Sequence, residues 1–264
     1  MRNAIIIFKI FAKHAKQNQT TLRTRLRRND GPMFNALPIF VTDGKKSSQA
    51  ITTYCSTSKC SILNQSCRRL VVKPDEIDMR GKIAVALDLV EECKEFAALV
   101  PEVRTNLVYA RPNSRSRDDV LGIDGRITVV NGLPHAAGKP RFGASSHMAR
   151  LLVELSKADS AFRAGVNFAN NPSLTKWLKE YCKAKGWVFS VIDRSKEPEE
   201  IKEAEGASMP WKVQQAIDAA GGRVPKIFYE TGAIGKEPVS VLVGRDPIEV
   251  AEQICEIARR YHER

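Results

Sequence analysis

The sequence lacks any stretch of apolar residues long enough to cross a bilayer. Its early apolar run, between Ile5 and Phe11, is far short of the roughly 20 residues that a spanning helix needs. No small-residue cleavage site follows that run, so a secretory leader is not indicated. Histidine is scarce: there are four, with no His-x-x-x-His or similar spacing that would mark a zinc centre. The six cysteines do not supply one either. Cys55, Cys60 and Cys67 have no nearby histidine and no close pairing, while Cys93, Cys182 and Cys255 fall on apolar stripes and read as buried thiols. Acids are scarce in one region only. Residues 1–73 carry 14 lysines and arginines against Asp30 and Asp43, so this segment holds the whole net charge of +12.

What remains is an ordinary globular composition, 43% hydrophobic and 27% charged, in which bases and acids cancel from residue 74 onward. The charge step puts a boundary near Lys73–Pro74. Residues 1–78 are expected to be a basic, poorly ordered extension, or the result of a start placed upstream of Met33 or Met79. Arg23, Arg25, Arg27 and Arg28 could also serve as a nucleic-acid patch, and the Arg-rich, acid-poor composition resembles a transit peptide. Residues 79–264 are expected to form the folded domain.

Within that domain the periods alternate. Ile83, Leu87, Val90, Ala97 and Val100 predict a helix ending before Pro101, and residues 106–110 and 126–130 read as strands, the second leading into an Asn131-Gly132 turn. Met148, Leu151, Leu152 and Leu155 predict a helix, and residues 164–168 a strand. A helix starting at Pro172 and stopping near Gly186 follows. Then come a strand at 187–192, a helix at 211–220, strands at 226–229 and 239–243, and a final helix at 247–261. The pattern implies an α/β fold with a mixed sheet covered by helices.

The most informative loop is Arg141-Phe-Gly-Ala-Ser-Ser-His147, which runs straight into a helix. Ser145 or Ser146 is suited to cap that helix, and Gly143, Arg141 and His147 beside its free amides would suit a phosphate. The same residues would serve equally as a plain cap with a solvated histidine. Thr231 to Pro238 carries Gly232, Gly235 and Lys236 but fails the P-loop pattern, because the glycines are too close and Glu237 stands where Ser or Thr should hold magnesium. Lys236 could still meet a phosphate. Asp193-Arg194 could bind a ligand or form a surface ion pair. The five glutamates between Glu197 and Glu205 read as a solvated helical face.

Taken in order, Asn106-Leu-Val-Tyr-Ala-Arg-Pro-Asn113, Val120-Leu-Gly-Ile-Asp-Gly-Arg126, Arg141–His147, Asp193-Arg194, Glu205-Gly206, Gly235-Lys-Glu-Pro238 and Gly244-Arg-Asp-Pro247 resemble the ThiN family of thiamine-phosphate synthases. The resemblance covers residues 79–264. It implies a three-layer α/β/α domain with a mixed sheet of the class II aldolase type. The implied reaction joins hydroxymethylpyrimidine pyrophosphate to hydroxyethylthiazole phosphate and releases thiamine phosphate and pyrophosphate, with magnesium, in a cytoplasmic homodimer. By motif, the family's essential arginine and histidine fall on Arg126 and His147. Asn106, Arg141, Gly143, Ser145, Ser146, Asp193 and Lys236 become substrate- and phosphate-binding candidates. Sensor members tend to lose the Arg–His pair, so its presence favours an enzyme over the alternative, a non-catalytic thiamine-pathway regulator holding DNA through its basic arm. Residues 1–78 are too few for the kinase domain found upstream in some members, and they show no helix-turn-helix pattern. Their charge still predicts weak, unselective nucleic-acid binding. An aldolase-like metal enzyme would need a three-histidine site that the sequence does not offer.

Overall fold

A computed structural model of the chain describes residues 74–203, 207–232 and 237–264. The charge-neutral part forms a seven-stranded mixed sheet between two layers of helices. The strands are β1 (Leu107–Ala110), β2 (Val120–Ile123), β5 (Pro140–Phe142), β6 (Ala164–Ala169), β7 (Phe189–Ile192), β8 (Ile227–Glu230) and β9 (Val239–Gly244). Their order across the sheet is β5-β2-β1-β6-β9-β8-β7. Every neighbouring pair is antiparallel except β7–β8, which are joined through helices and run parallel.

The helices are α1 (Pro74–Glu91), α2 (Ser146–Ala158), α3 (Pro172–Lys185), the short α4 (Glu199–Glu203), α5 (Ser208–Ala219) and α6 (Pro247–His262). In α1, Met79, Ile83, Ala86, Leu87 and Val90 recur at helical spacing and are buried, while Asp75 and Glu76 complement the dipole in the first turn. Asn171 caps α3 by accepting from the Leu174 amide at 2.8 Å, and Asp246 caps α6 through the Ile248 amide at 3.0 Å; a proline follows each cap. Gly186, at φ 65°, closes α3 where the sequence signalled a stop.

One face of the sheet packs on α1, α3 and α6 through residues such as Ile83, Phe168, Leu174 and Ile254. The other packs on α2 and α5 through Leu151, Leu152, Val213 and Phe228. Cys93, Cys182 and Cys255 are free, buried thiols, as their positions on apolar stripes predicted. Burial pushes the Cys182 thiol up to about 12, which keeps it protonated and inert.

Some elements differ from the expectation. The single helix drawn from Ile83 to Val100 is two: α1 ends at Glu91, and a 3-10 helix, Lys94–Leu99, turns Phe96 and Leu99 into the core. The polar stretch after Ala110 contains β2, a continuously buried strand of four residues with no alternation to reveal it. Strand β3 (Ile127–Val130) leaves the main sheet and pairs with β4 (Leu133–Ala136) as a separate hairpin. Its turn is Asn131-Gly132, with φ of 52° and 78°, as the dipeptide demanded.

Candidate active site

A cavity of about 410 Å3 opens at one end of the sheet, where β2, β6, β7 and β8 finish and β1 and β9 begin. Asn106, Arg126, Ser145, His147, Arg194, Lys212, Glu230 and Glu237 are among its lining residues. Most reach it from the ends of strands or helices and Lys212 from within α5, so the fold brings together residues far apart in sequence.

Arg126 follows the turn at Gly125, and both residues have left-handed backbones, at φ 69° and 71°. For arginine that conformation is costly, on the order of 1–2 kcal/mol, and the surrounding hydrogen bonds hold it. The Arg126 amide donates to the Ile123 carbonyl, its own carbonyl accepts from the Ala137 amide, and Nη1 donates to the Val103 carbonyl. No carboxylate among the described residues pairs with its guanidinium.

Ser145 stands at the N-cap of α2 and is buried, yet its side chain makes no capping hydrogen bond. The Ser146 hydroxyl instead accepts from Arg150 Nη2 at 2.8 Å. The first amides of α2 are therefore left without a side-chain cap, in a helix whose dipole favours an anion at that end. His147 sits in the first turn, half-exposed, with Nε2 3.7 Å from Glu230 Oε1.

Behind His147 lies a cluster of buried charges. Lys212 Nζ donates to Glu230 Oε2 at 2.6 Å, and Arg194 Nη1 donates to the same oxygen at 3.3 Å. Arg194 Nε and Nη2 both donate to Glu197 Oε2, at 3.0 and 2.8 Å, and the Ser208 hydroxyl donates to Glu197 Oε1. All four charged side chains are less than 10% exposed, and their charges cancel. Burial alone would raise the Glu230 carboxyl, but His147 and Lys212 outweigh it and hold the group down at about 2. Burial likewise lowers Lys212, against the pull of Glu230.

The remaining candidates have other partners. The Asn106 side chain bridges β1 to β2, donating to the Ile123 carbonyl at 2.8 Å and accepting from the Ile123 amide at 2.9 Å. It lines the cavity while acting as a backbone clip. Arg141 lies on β5, exposed, paired with Asp124 at 3.0 Å, and does not line the cavity. Gly143, at φ 72°, makes the turn before α2, where a Cβ would fall 2.6 Å from Asp118. Asp193 caps its own turn through the Ser195 amide and hydroxyl, at 3.0 and 2.6 Å. Lys236 lies outside the described residues. Glu237 accepts from the Glu102 and Val103 amides, both at 3.1 Å, tying that loop to the segment that holds Arg126.

Lys212 and Glu230 were not singled out in the sequence, although a signal was present. Met209, Lys212, Val213 and Ala216 form the buried stripe of α5, so a lysine occupies an inward position. In β8, Glu230 shares a face with Phe228. An ionisable residue in register with an apolar face is a buried charge in need of partners.

The ThiN family model, thiamine-phosphate synthase ThiN, matches residues 82–256. The chain is 40% identical over 176 residues to thiamine-phosphate synthase ThiN of Methanothermobacter thermautotrophicus, an alignment spanning 67% of this chain and 90% of that protein. It is 34% identical to the bifunctional thiamine biosynthesis protein ThiDN of Methanocaldococcus jannaschii, over 62% of this chain and 37% of that one. Among solved structures, the C-terminal domain of a phosphomethylpyrimidine kinase superposes with a TM-score of 0.66 at 34% identity, covering 69% of this chain and 99% of that domain.

Proposed function

The chain belongs to the ThiN family of thiamine-phosphate synthases, and from that premise we propose that its cavity is where hydroxymethylpyrimidine pyrophosphate and hydroxyethylthiazole phosphate are joined. The products are thiamine phosphate and pyrophosphate. Both substrates are anions, and one observation carries the assignment of the site. The buried charges of Arg194, Lys212, Glu197 and Glu230 cancel, so the Arg126 guanidinium, the N–H of the His147 ring and the uncapped start of α2 are the donors that the described residues leave to meet an anion in the cavity.

The chemistry asks for such groups. The bond between the pyrimidine methylene carbon and the pyrophosphate oxygen breaks, and the electron pair leaves with the oxygen. The methylene becomes a cation delocalised into the aminopyrimidine ring, and the thiazole nitrogen supplies the pair for the new C–N bond. Donors fixed in advance at the leaving oxygens lower that barrier more than mobile water would. Arg126 is held by the Val103 carbonyl through Nη1, and its other donors are available for a forked contact with phosphate. His147 donates from the helix start, and Ser145 with the α2 amides receives a phosphate.

Magnesium belongs to this proposal as a companion of the pyrophosphate. No group of three acids, histidines or cysteines among the described residues could hold a metal, and of the cavity's carboxylates Glu237 is engaged through both oxygens and Glu230 through Oε2. These residues do not form a resident magnesium site, so no step is assigned to the ion. A cytoplasmic homodimer is part of the same proposal by the family resemblance. No helix among the described residues is long and apolar enough to cross a membrane. The deciding experiment incubates the purified chain with both substrates and magnesium and measures thiamine phosphate. Its formation at a rate proportional to enzyme is the expected result, and its absence from folded protein overturns the reading.

A further inference from the structure

Glu230 is buried far more thoroughly than a carboxylate with a spare oxygen should be. Its Oε2 is fully used by Lys212 and Arg194, whereas Oε1 is shielded from solvent and has no hydrogen-bond partner. A buried anionic oxygen left unpaired costs free energy, which natural folds seldom tolerate without a use. A candidate partner for it is His147, whose Nε2 lies 3.7 Å away, too long for a hydrogen bond but within one small adjustment of it.

We propose that Glu230 is the positioning residue for His147: its Oε1 accepts a hydrogen bond from Nε2–H, which fixes the ring and stabilises it when protonated, so that Nδ1–H is presented to the anionic oxygens of the substrate. The proposal rests on the reading of the cavity given above. It makes the buried cluster part of the machinery instead of mere packing. Arg194 and Lys212 hold the carboxylate in place, as second partners commonly orient a functional histidine. Among the described residues, the charged groups that line the cavity with His147 are Glu230 on β8, Lys212 on α5, Arg194 after β7, Arg126 after β2 and Glu237 before β9. Of the two carboxylates, Glu237 is occupied by backbone amides, which leaves Glu230 to set the charge state of the ring.

The sign follows from electrostatics. Neutralising Glu230 removes an attraction for the imidazolium, so activity that depends on the protonated ring fails at lower pH. In Glu230→Gln, kcat/KM is expected to fall about 10- to 100-fold, mostly in kcat. Its alkaline limb should move to lower pH by about one unit, the equivalent of a tenfold change in the ring's charge equilibrium. Lys212→Met removes a cation and leaves the carboxylate held by Arg194, so its alkaline limb should move the other way. A merely structural role for the cluster would lower activity in both variants without moving the limbs in opposite directions.

The test measures pH profiles of synthase activity for the wild-type chain and both variants, and in parallel the pH dependence of their affinity for inorganic pyrophosphate by calorimetry. Pyrophosphate titrates identically in every sample, so differences between variants report the protein. Opposite displacements in either readout support the proposal, and unchanged limbs in folded variants overturn it. Should Glu230→Gln fail to fold, the direction of the Lys212→Met limb alone decides. A wild-type chain that makes no thiamine phosphate but shows the displacements in pyrophosphate binding would sink the proposed reaction and leave the dyad standing.

Discussion

One face of the sheet is buried beneath α1, α3 and α6, and the side chains that fill it, such as Phe96, Phe168, Leu174 and Ile254, are apolar; its buried polar pair, Asn170 and Ser240, is neutral. The other face lies beneath α2 and α5. It has its own apolar core around Leu151, Leu152 and Phe228, but toward the end of β8 it takes in Lys212 and Glu230, with Arg194 and Glu197 packed against them. The core side chains of both faces are buried, yet among the described residues only the second face carries buried charge. The first obtains stability from burial alone. The second gives up part of that gain, because each buried ion must be compensated by geometry. The expense falls beside the cavity, where preorganised charge has a use.

Mutations should separate the two faces. The largest effect expected is on stability, from Phe168→Ala in the first layer. This ring is fully buried, and its loss should cost about 3–5 kcal/mol in transfer free energy and cavity. Urea unfolding would show the loss, while kcat/KM per folded molecule stays near the wild-type value. A large drop in activity of the folded fraction would mean that the layers are not independent.

Next come Arg126→Ala and His147→Ala at the cavity. Each should lower the synthase rate by about 10²–10³-fold, the usual consequence of losing one preorganised donor. Arg126 has no carboxylate partner among the described residues and alanine there stays strained, so melting should change little in that variant, whereas His147→Ala removes a group that holds the Glu230 carboxyl down and should melt somewhat lower. Near-normal turnover in both folded variants would remove them from the site.

The division between the faces also governs what could be read in advance. The apolar layer was legible because burial writes a period into the sequence: the stripes of α3 and α6 and the caps at Asn171 and Asp246 announce themselves. Arg126 and His147, both of which line the cavity, stood out through motifs at a turn and at a helix start. Strand β2 was missed because four continuously buried residues have no period, and the Lys212–Glu230 pair because its members are 18 residues apart on different elements. Arg141 looked like a phosphate ligand because of its place in the loop, and only the pairing of β2 with β5 brings it to Asp124. Local chemistry can be seen in a sequence, but partners supplied by the fold cannot.

A smaller effect should come from acid. The Glu230 carboxyl is held near 2 in the folded chain, below the ordinary value of about 4.3, so its contribution is present above pH about 4 and is lost as pH falls through about 2. The loss is on the order of 3 kcal/mol, one pKa unit being worth about 1.4 kcal/mol. Glu197 is also lowered: its burial acts against the shift, but Ser208 and Arg194 overcome it, and the sign of its contribution is the same. Unfolding free energies measured between pH 6 and pH 2 should fall in parallel for the wild type and Phe168→Ala. A variant without the Glu230 carboxylate should show a flatter dependence. Equal slopes in all three would show that the charged face is no more acid-sensitive than the apolar one.

The smallest effect on catalysis is expected from removing residues 1–73. Every element and every cavity residue described lies from Pro74 onward, so a chain beginning there should melt cooperatively and keep kcat/KM within about twofold. What it should lose is attraction to nucleic acid. An excess of +12 would bind by releasing counterions, a mechanism that reads phosphate spacing and not base sequence. Full-length protein should therefore bind thiamine-gene promoter DNA and random DNA alike at low salt and release both by about 200 mM, while the shortened chain binds neither. Titration of both proteins against both DNAs at two salt concentrations checks this. Tight, promoter-selective binding that survives physiological salt would require base contacts that electrostatics alone does not supply, and would make the chain a regulator as well as an enzyme.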